Sequence, residues 1–182
     1  MGFHTCFGQW LTICAQTPRA LRPILGQDVH GSPYAAFTLT VVIAKETTVL
    51  GTGKKGDPWL LTTPPGTSEF SMYRDDQSDP PTLFCQVGST WLRYQARAID
   101  DLHDWLVEQG DWVPLGAADE KKVPASGTVE AWGRSPDNPV GGWYGLRNGY
   151  RGRFGMYLPP LLEALGLAEV THDARNNRMR AL

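Results

Sequence analysis

The sequence predicts an α+β fold, in which a small and mostly antiparallel sheet with one helix is followed by a helical C-terminal part that ends in a β-hairpin. Three observations predict it. Residues 82–95 alternate apolar and polar side chains on both sides of a Gly-Ser dipeptide, the pattern of a hairpin. Residues 98–109 repeat apolar side chains at helical spacing. Residues 158–182 are typical of a helix, a short strand, a loop and a returning strand.

Three strands are predicted ahead of the hairpin. The β-branched run FTLTVVIA (37–44) predicts the first, and WLLTT (59–63) and EFSMYR (69–74) predict two more, joined by the turn sequence PPGTS. Residues 1–42 carry three charges and show no sustained hydrophobic period. They are interpreted as an N-terminal extension, either a flexible segment or residues ahead of a truer start near Val42.

The hairpin has a predictable register. Gly88 at the first turn position suits a two-residue type II′ loop. One largely apolar face then holds three opposed pairs: Val87 with Thr90, Cys85 with Leu92, and Leu83 with Tyr94. The other face holds two: Phe84 with Arg93, and Gln86 with Trp91. A slip by one residue would destroy this sorting, so the pattern favours this register.

AIDDLHDWLVEQ (98–109) predicts an amphipathic helix. Its inner stripe consists of four apolar residues: Ile99, Leu102, Trp105 and Leu106. Asp100 and Asp101 fall in the first turn, where the helix dipole favours acidic side chains, and Gly110 ends the helix. DWVPLG (111–116) predicts a short strand.

The polar segment AADEKKVPASG (117–127) predicts a boundary between a β-rich α+β subdomain, residues 43–118, and a winged-helix-like subdomain, residues 123–182. The second subdomain opens with the short helix TVEAWGR (128–134). LPPLLEALGL predicts a helix with its prolines in the first turn, where a missing N–H costs nothing.

AEV (168–170) and NRMRAL (177–182) predict the two strands of a C-terminal hairpin. With the preceding helix, this hairpin is similar to the third helix and wing of winged-helix DNA-binding domains. That resemblance implies a wing whose cations reach phosphate, and the candidates here are Arg175, Arg178 and Arg180. The alternative is a plain helix-and-hairpin packing unit.

The net charge of −2 conceals an asymmetry. Residues 1–120 carry 8 Lys/Arg and 14 Asp/Glu, whereas residues 121–182 carry 9 and 5, so the local net charges are −6 and +4. A basic C-terminal third admits a polyanionic partner, although a solvated surface is the simpler interpretation.

The glycine-rich stretch GGWYGLRNGYRGRFGMY (141–157) adds to this hypothesis. Arg147, Arg151 and Arg153 are candidates for phosphate contacts, and Trp143 and Tyr150 are candidates for stacking on bases. The alternative, which the spacing favours, is a compact folded loop whose aromatic side chains mostly point inward.

Other classes of site have little support. Three scattered cysteines form neither a CxxC pair nor a disulfide framework, and no run of about 18 apolar residues predicts a membrane span. The four histidines are far apart, and no HExxH, G-x-S-x-G or P-loop spacing occurs. The neighbours His172 and Asp173 are read as solvated loop residues rather than as an acid/base pair. We therefore predict no catalytic residue, no metal site and no cofactor.

Three strings of the chain are similar to those of an uncharacterised bacterial family, a domain of unknown function: TTPPGTSEFSMYRD, DLHDWLVEQGDWVPLG and AWGRSPDNPVGGWYGLRNGYRGRFGMYLPPLLEALGL. The resemblance covers residues from about 45 to 182 and implies no particular activity. Together these observations predict a cytoplasmic binding protein, not an enzyme, with DNA or RNA as its first partner. The alternatives are a protein-interaction or homo-oligomeric assembly module, and an enzyme whose site is not recognised.

Overall fold

The computed structural model describes residues 49–119, 121–146 and 153–182, together with the backbone of two short strands, β1 (Gly26–Gln27) and β2 (Pro33–Tyr34).

The chain divides into two compact units, Met1–Lys45 and Glu46–Leu182. In the first unit, β1 and β2 pair antiparallel. The strand predicted over residues 37–44 lies outside the described residues.

A four-stranded antiparallel sheet forms the first half of the second unit. Its strands are β3 (Trp59–Thr62), β4 (Glu69–Asp75), β5 (Thr82–Val87) and β6 (Thr90–Gln95), and they lie in chain order. All five predicted cross-strand pairs of the β5–β6 hairpin are confirmed. Gly88 at the turn has a φ of 57°, which the type II′ loop requires at its first position.

Helix α1 (Ala98–Gln109) has the predicted bounds. Ile99, Leu102 and Leu106 are buried, whereas Trp105 is half-buried. Gly110 ends the helix with a φ of 65°, and its N–H donates to the carbonyl oxygen of Leu106. The left-handed conformation suits glycine because it has no Cβ.

Two further helices follow. Helix α2 (Val129–Trp132) starts at Thr128, whose side-chain oxygen accepts the N–H of Ala131. Helix α3 (Phe154–Ala164) begins one turn earlier than the sequence predicts. The expectation that Pro159 and Pro160 fall in its first turn was therefore wrong, because both lie inside the helix. Tertiary contacts set the start: Phe154 is fully buried, and the next N–H has an acceptor in α2.

A three-stranded antiparallel sheet closes the unit. It contains β7 (Val113–Pro114), β8 (Ala168–Val170) and β9 (Arg178–Ala181) in the order β7-β9-β8. The predicted C-terminal hairpin is confirmed as the β8–β9 pair. Its second strand also pairs with β7, which comes from the far side of the 117–127 segment.

One cluster of buried apolar side chains runs through the unit, and both predicted subdomains contribute to it. Its centre is aromatic. Trp132 stacks between Trp105 and Tyr144, with ring centroids 5.1 Å and 5.4 Å away. Phe154 and Tyr144 are fully buried, so the part of the 141–157 stretch that the structure describes points its rings inward, as the packing interpretation predicts.

The α+β class is confirmed. No helix within the described ranges is long and apolar enough to cross a bilayer. The similarity of α3, β8 and β9 to a winged-helix unit stays a prediction.

Candidate functional site

A cavity of about 600 Å³ opens among five segments of the chain. Its lining comes from the turn after β3, the end of β7 with the residues that follow, the start of α2, the start of α3 and the β8–β9 loop: Pro64, Pro65, Pro114, Leu115, Gly116, Ala117, Thr128, Gly155, Met156, Ala174, Arg175, Asn176, Asn177 and Arg178. No acidic residue is among them. We refer to this space as the hairpin cavity.

Two glycines allow the backbone to close one side of the hairpin cavity. A Cβ on Gly155 would lie 2.3 Å from the carbonyl oxygen of Leu115, closer than any real contact. Gly116 has a φ of 82°, and a Cβ there would lie 2.9 Å from the side chains of Glu130 and Thr128. Both positions therefore require glycine, since helix α3 and the β7–α2 connection touch backbone to backbone.

A buried ion pair lies next to these glycines. Glu130 of α2 is 1% exposed and Arg134 is 8% exposed. One carboxylate oxygen of Glu130 accepts the Gly155 N–H at 2.6 Å, and the other accepts Nε–H of Arg134 at 2.8 Å. Burial raises the pKa of Glu130, whereas the Gly155 N–H and Arg134 act in the opposite direction. The negative charge of Glu130 is thus matched locally by Arg134.

The two cations of the hairpin cavity have no such match. Arg175 lies in the β8–β9 loop, and Arg178 begins β9 opposite Pro114 of β7. Both are exposed. Neither side chain forms an ion pair or a hydrogen bond with any residue that the structure describes. Two guanidinium groups without an ion-pair partner among the described residues therefore line one concave surface.

The loop that carries Arg175 is held by side-chain hydrogen bonds. Asn177, which is 9% exposed, accepts from the Thr171 hydroxyl at 3.0 Å and from the Asp173 N–H at 2.7 Å. Its amide also donates to the Asp173 carbonyl oxygen at 2.8 Å. Asn176 turns the chain with a φ of 58°, a conformation that asparagine tolerates. The loop thus has a defined path before any ligand binds.

His172 connects two sides of the hairpin cavity. One ring nitrogen lies 3.0 Å from the carbonyl oxygen of Pro64, and the other lies 3.0 Å from both carboxylate oxygens of Glu163 in α3. The ring therefore contacts Glu163 rather than Asp173, its neighbour in sequence. These contacts tie the turn after β3 to the C-terminal hairpin and to α3.

The remaining predicted site residues have diverse environments. Arg153 is the exposed residue that precedes α3. The Lys121 N–H lowers the pKa of Asp119, and Lys122 and Arg153 act in the same direction, so Arg153 lies near an acid. Arg180 donates to Glu169 at 2.6 Å and covers the ring of Trp112 at 4.7 Å.

Trp143 is half-buried, with its ring edge-on to Phe154 and beneath the guanidinium of Arg134. Its neighbours are therefore groups of the protein itself. Arg147, Tyr150 and Arg151 lie outside the described residues, so their predicted roles stay predictions.

The outer face of the four-stranded sheet is a second surface feature. Tyr73 and Phe84 stack with centroids 4.9 Å apart, Trp91 meets Tyr73 edge-on, and Arg93 lies over Phe84 at 5.3 Å. Trp91 of β6 is 40% exposed, and Leu60 of β3, the strand at the opposite edge of the sheet, is 58% exposed. An apolar face of this kind is uncommon on the solvent side of an antiparallel sheet.

Sequence reasoning identified the cations of the hairpin cavity but missed the cavity itself and the Glu130–Arg134 pair. The pair has the i, i+4 spacing of an ordinary surface salt bridge, so its burial leaves no trace in the pattern. The described part of the chain contains no group of three or more His, Cys, Asp or Glu side chains that could hold a metal ion.

A family model described as a family of unknown function (DUF6855) matches residues 51–182. Neither a curated protein nor a solved structure matches the chain. Function is therefore inferred from the geometry of the hairpin cavity and its arginines.

Proposed function

The chain belongs to the DUF6855 family of unknown function, and for it we propose a nucleic-acid-binding role in which the arginines of the C-terminal hairpin contact phosphates. The single observation that carries this proposal is that Arg175 and Arg178 have no partner for their charge among the described residues. Both are exposed, both line one cavity, and neither has a carboxylate partner in the described ranges. Arginine side chains of this kind bind phosphate oxygens through two parallel hydrogen bonds.

The position of the arginines supports the same role. In the predicted winged-helix unit the loop between β8 and β9 would be the wing, and this loop presents Arg175 on a path fixed by Asn177. Arg153 precedes the helix that lines the same cavity. Arg180 contributes less, because Glu169 already compensates its charge. The proposal retains the cytoplasmic location that the sequence predicts.

Fluorescence anisotropy of labelled DNA duplex, single-stranded DNA and RNA tests the proposal. We expect binding that weakens steeply between about 50 and about 200 mM salt. The double variant Arg175→Gln/Arg178→Gln should flatten the slope of log K against log salt by about 2. A charge-matched control, Lys54→Gln/Arg93→Gln, removes two exposed cations elsewhere and should change the slope less. Absence of binding at low salt, or equal effects of both double variants, contradicts the proposal.

The apolar outer face of the sheet favours a second candidate, a protein-interaction or assembly module. Exposed apolar side chains mark such surfaces, and Leu60 on β3 and Trp91 on β6 are the exposed large apolar side chains of its four strands. Sedimentation across a range of concentrations should reveal a self-association that Leu60→Thr/Trp91→Thr abolishes. A monomer at every concentration rules out a homo-oligomer of this kind.

A further inference from the structure

We propose that the hairpin cavity binds a small organic oxyanion, a carboxylate or phosphate monoester carried on an apolar body. This site shares Arg175 and Arg178 with the proposed nucleic-acid surface but does not depend on it. A macromolecule needs only the exposed guanidinium groups, whereas a small ligand also needs the enclosed volume behind them.

The dimensions of the cavity suit a small molecule. Its volume of about 600 Å³ falls in the range of roughly 300–1,000 Å³ that is typical of small-molecule sites. Three of its walls are apolar: Pro64 and Pro65 after β3, Pro114 and Leu115 at β7, and Met156 in α3. Such walls bind an apolar body by excluding water from it. The prolines also lack N–H groups, so an apolar ligand body against these walls would leave few backbone donors without a hydrogen bond.

The charge of the cavity selects an anion. Arg175 and Arg178 are its only charged lining residues in the described ranges, and no acid faces them among the lining residues. The buried Glu130, whose side chain lies beside the lining residue Gly116, is already bound by Arg134 and the Gly155 N–H. A cationic or neutral ligand would leave both guanidinium groups without a partner. An oxyanion satisfies them, since the planar guanidinium matches both carboxylate and phosphate oxygens.

The walls are ordered in advance, which lowers the entropic cost of binding. Asn177 fixes the β8–β9 loop with three hydrogen bonds, and His172 ties the hairpin to Pro64. Gly116 and Gly155 hold the opposite side at backbone contact distance. The side chain of Asn176 has no hydrogen bond within the part that the structure describes, so its amide is available to the ligand.

The test is a two-dimensional amide NMR titration of the full chain with four probes. Phenyl phosphate and benzoate carry the two head groups on one apolar body, benzyl alcohol is the neutral control, and inorganic phosphate lacks the body. We expect saturable shifts at Gly116, Gly155 and Asn177 with phenyl phosphate, benzoate or both, and the stronger of the two identifies the head group. Benzyl alcohol and inorganic phosphate should bind much more weakly.

Four variants locate the site. Arg178→Gln should weaken binding at least about tenfold. Arg178→Lys should weaken it less, because lysine keeps the positive charge and loses only the paired hydrogen bonds of the guanidinium group. Ala174→Trp adds an indole to an exposed position of the lining and should abolish binding by filling the cavity. Arg93→Gln on the outer sheet face is the matched control and should leave binding unchanged. The amide spectrum of each variant reports whether it is folded.

The outcomes separate this inference from the proposed function. Ala174→Trp retains both cavity arginines, so it should keep nucleic-acid binding while it loses the small ligand. If the wild-type protein binds an anionic probe but does not bind nucleic acid, only the proposed function is contradicted. The inference is wrong if neither anionic probe shifts the three amides, if the neutral probe binds equally well, or if Ala174→Trp leaves the shifts intact.

Discussion

Replacing Glu130 by alanine should destabilise the protein strongly. Glu130 is 1% exposed, and its removal leaves the 8% exposed Arg134 without its carboxylate. Breaking a buried ion pair from one side costs about 3–5 kcal/mol in the free energy of unfolding. The change also removes the acceptor of the Gly155 N–H. At about 4 °C per kcal/mol for a domain of this size, the melting temperature should fall by roughly 12–20 °C.

The matched control is Glu169→Ala, which breaks the ion pair with Arg180. In that pair the two side chains are 44% and 47% exposed, so the loss should not exceed about 1 kcal/mol. Urea denaturation followed by tryptophan fluorescence measures both variants, because Trp105 and Trp132 stack in the core. Both variants remove a carboxylate that binds an arginine, so their contrast reports the burial of the Glu130–Arg134 pair together with the lost acceptor of the Gly155 N–H.

Two further variants separate the contributions. Glu130→Gln keeps an oxygen for the Gly155 N–H and removes the charge, so it should cost about 1.5–3 kcal/mol, less than alanine. The double change Glu130→Met/Arg134→Met removes both charges and should recover part of the loss. If Glu130→Ala stays within about 1 kcal/mol of the wild type, the reasoning about the buried pair is refuted.

Three other predictions follow from the same region and from the sheet. Gly155→Ala should lower the free energy of unfolding by about 1–3 kcal/mol, because the added Cβ would overlap the carbonyl oxygen of Leu115. The control is Gly56→Ala, whose Cβ would meet nothing within 4 Å. In urea denaturation this control should stay within about 0.5 kcal/mol of the wild type. Burial raises the pKa of the Cys85 thiol, so this thiol should resist alkylation at mildly alkaline pH until the protein unfolds, and peptide mapping that finds rapid labelling in the native state contradicts this. Burial raises the pKa of Glu130 above its ordinary value of 4.5, so the folded state holds this proton to higher pH than the unfolded state does. The free energy of unfolding of the wild type relative to Glu130→Gln should therefore fall as pH rises from about 4.5 through the folded pKa, and a difference that rises over this window has the wrong sign.

Local patterns predicted the elements whose partners are close in sequence. The β5–β6 register and the bounds of α1 came out as predicted, because alternation, a glycine turn and an apolar stripe specify them within about fifteen residues. The start of α3 did not, because it depends on Glu130, which lies 25 residues earlier. The preference of proline for the first turn of a helix is overridden here by the tertiary contacts of α3.

The same limit explains why the hairpin cavity was missed. Its arginines were identified from the resemblance of the C-terminal hairpin to a winged-helix wing, but its volume depends on the pairing of the two-residue strand β7 with β9. A two-residue strand has no periodicity, so nothing in the sequence connects it with a strand some 65 residues later. The sequence predicted part of the outer sheet face, since it placed the opposed pairs of the β5–β6 hairpin there. The structure adds Tyr73, which lies on the adjacent strand β4 and stacks on Phe84.

The order β7-β9-β8 has a consequence for the moment at which the protein completes its fold during synthesis. Strands β7 and β8 do not pair with each other. Both pair with β9, whose Met179 is fully buried. The four-stranded sheet and α1 are complete some 70 residues before β9 leaves the ribosome. Until then, β7 and β8 lack their partner and the hairpin cavity has only part of its wall, so the nascent chain cannot bind a ligand there. On a ribosome stalled just before residue 178, the second sheet should therefore be unformed, because β9 has not been made.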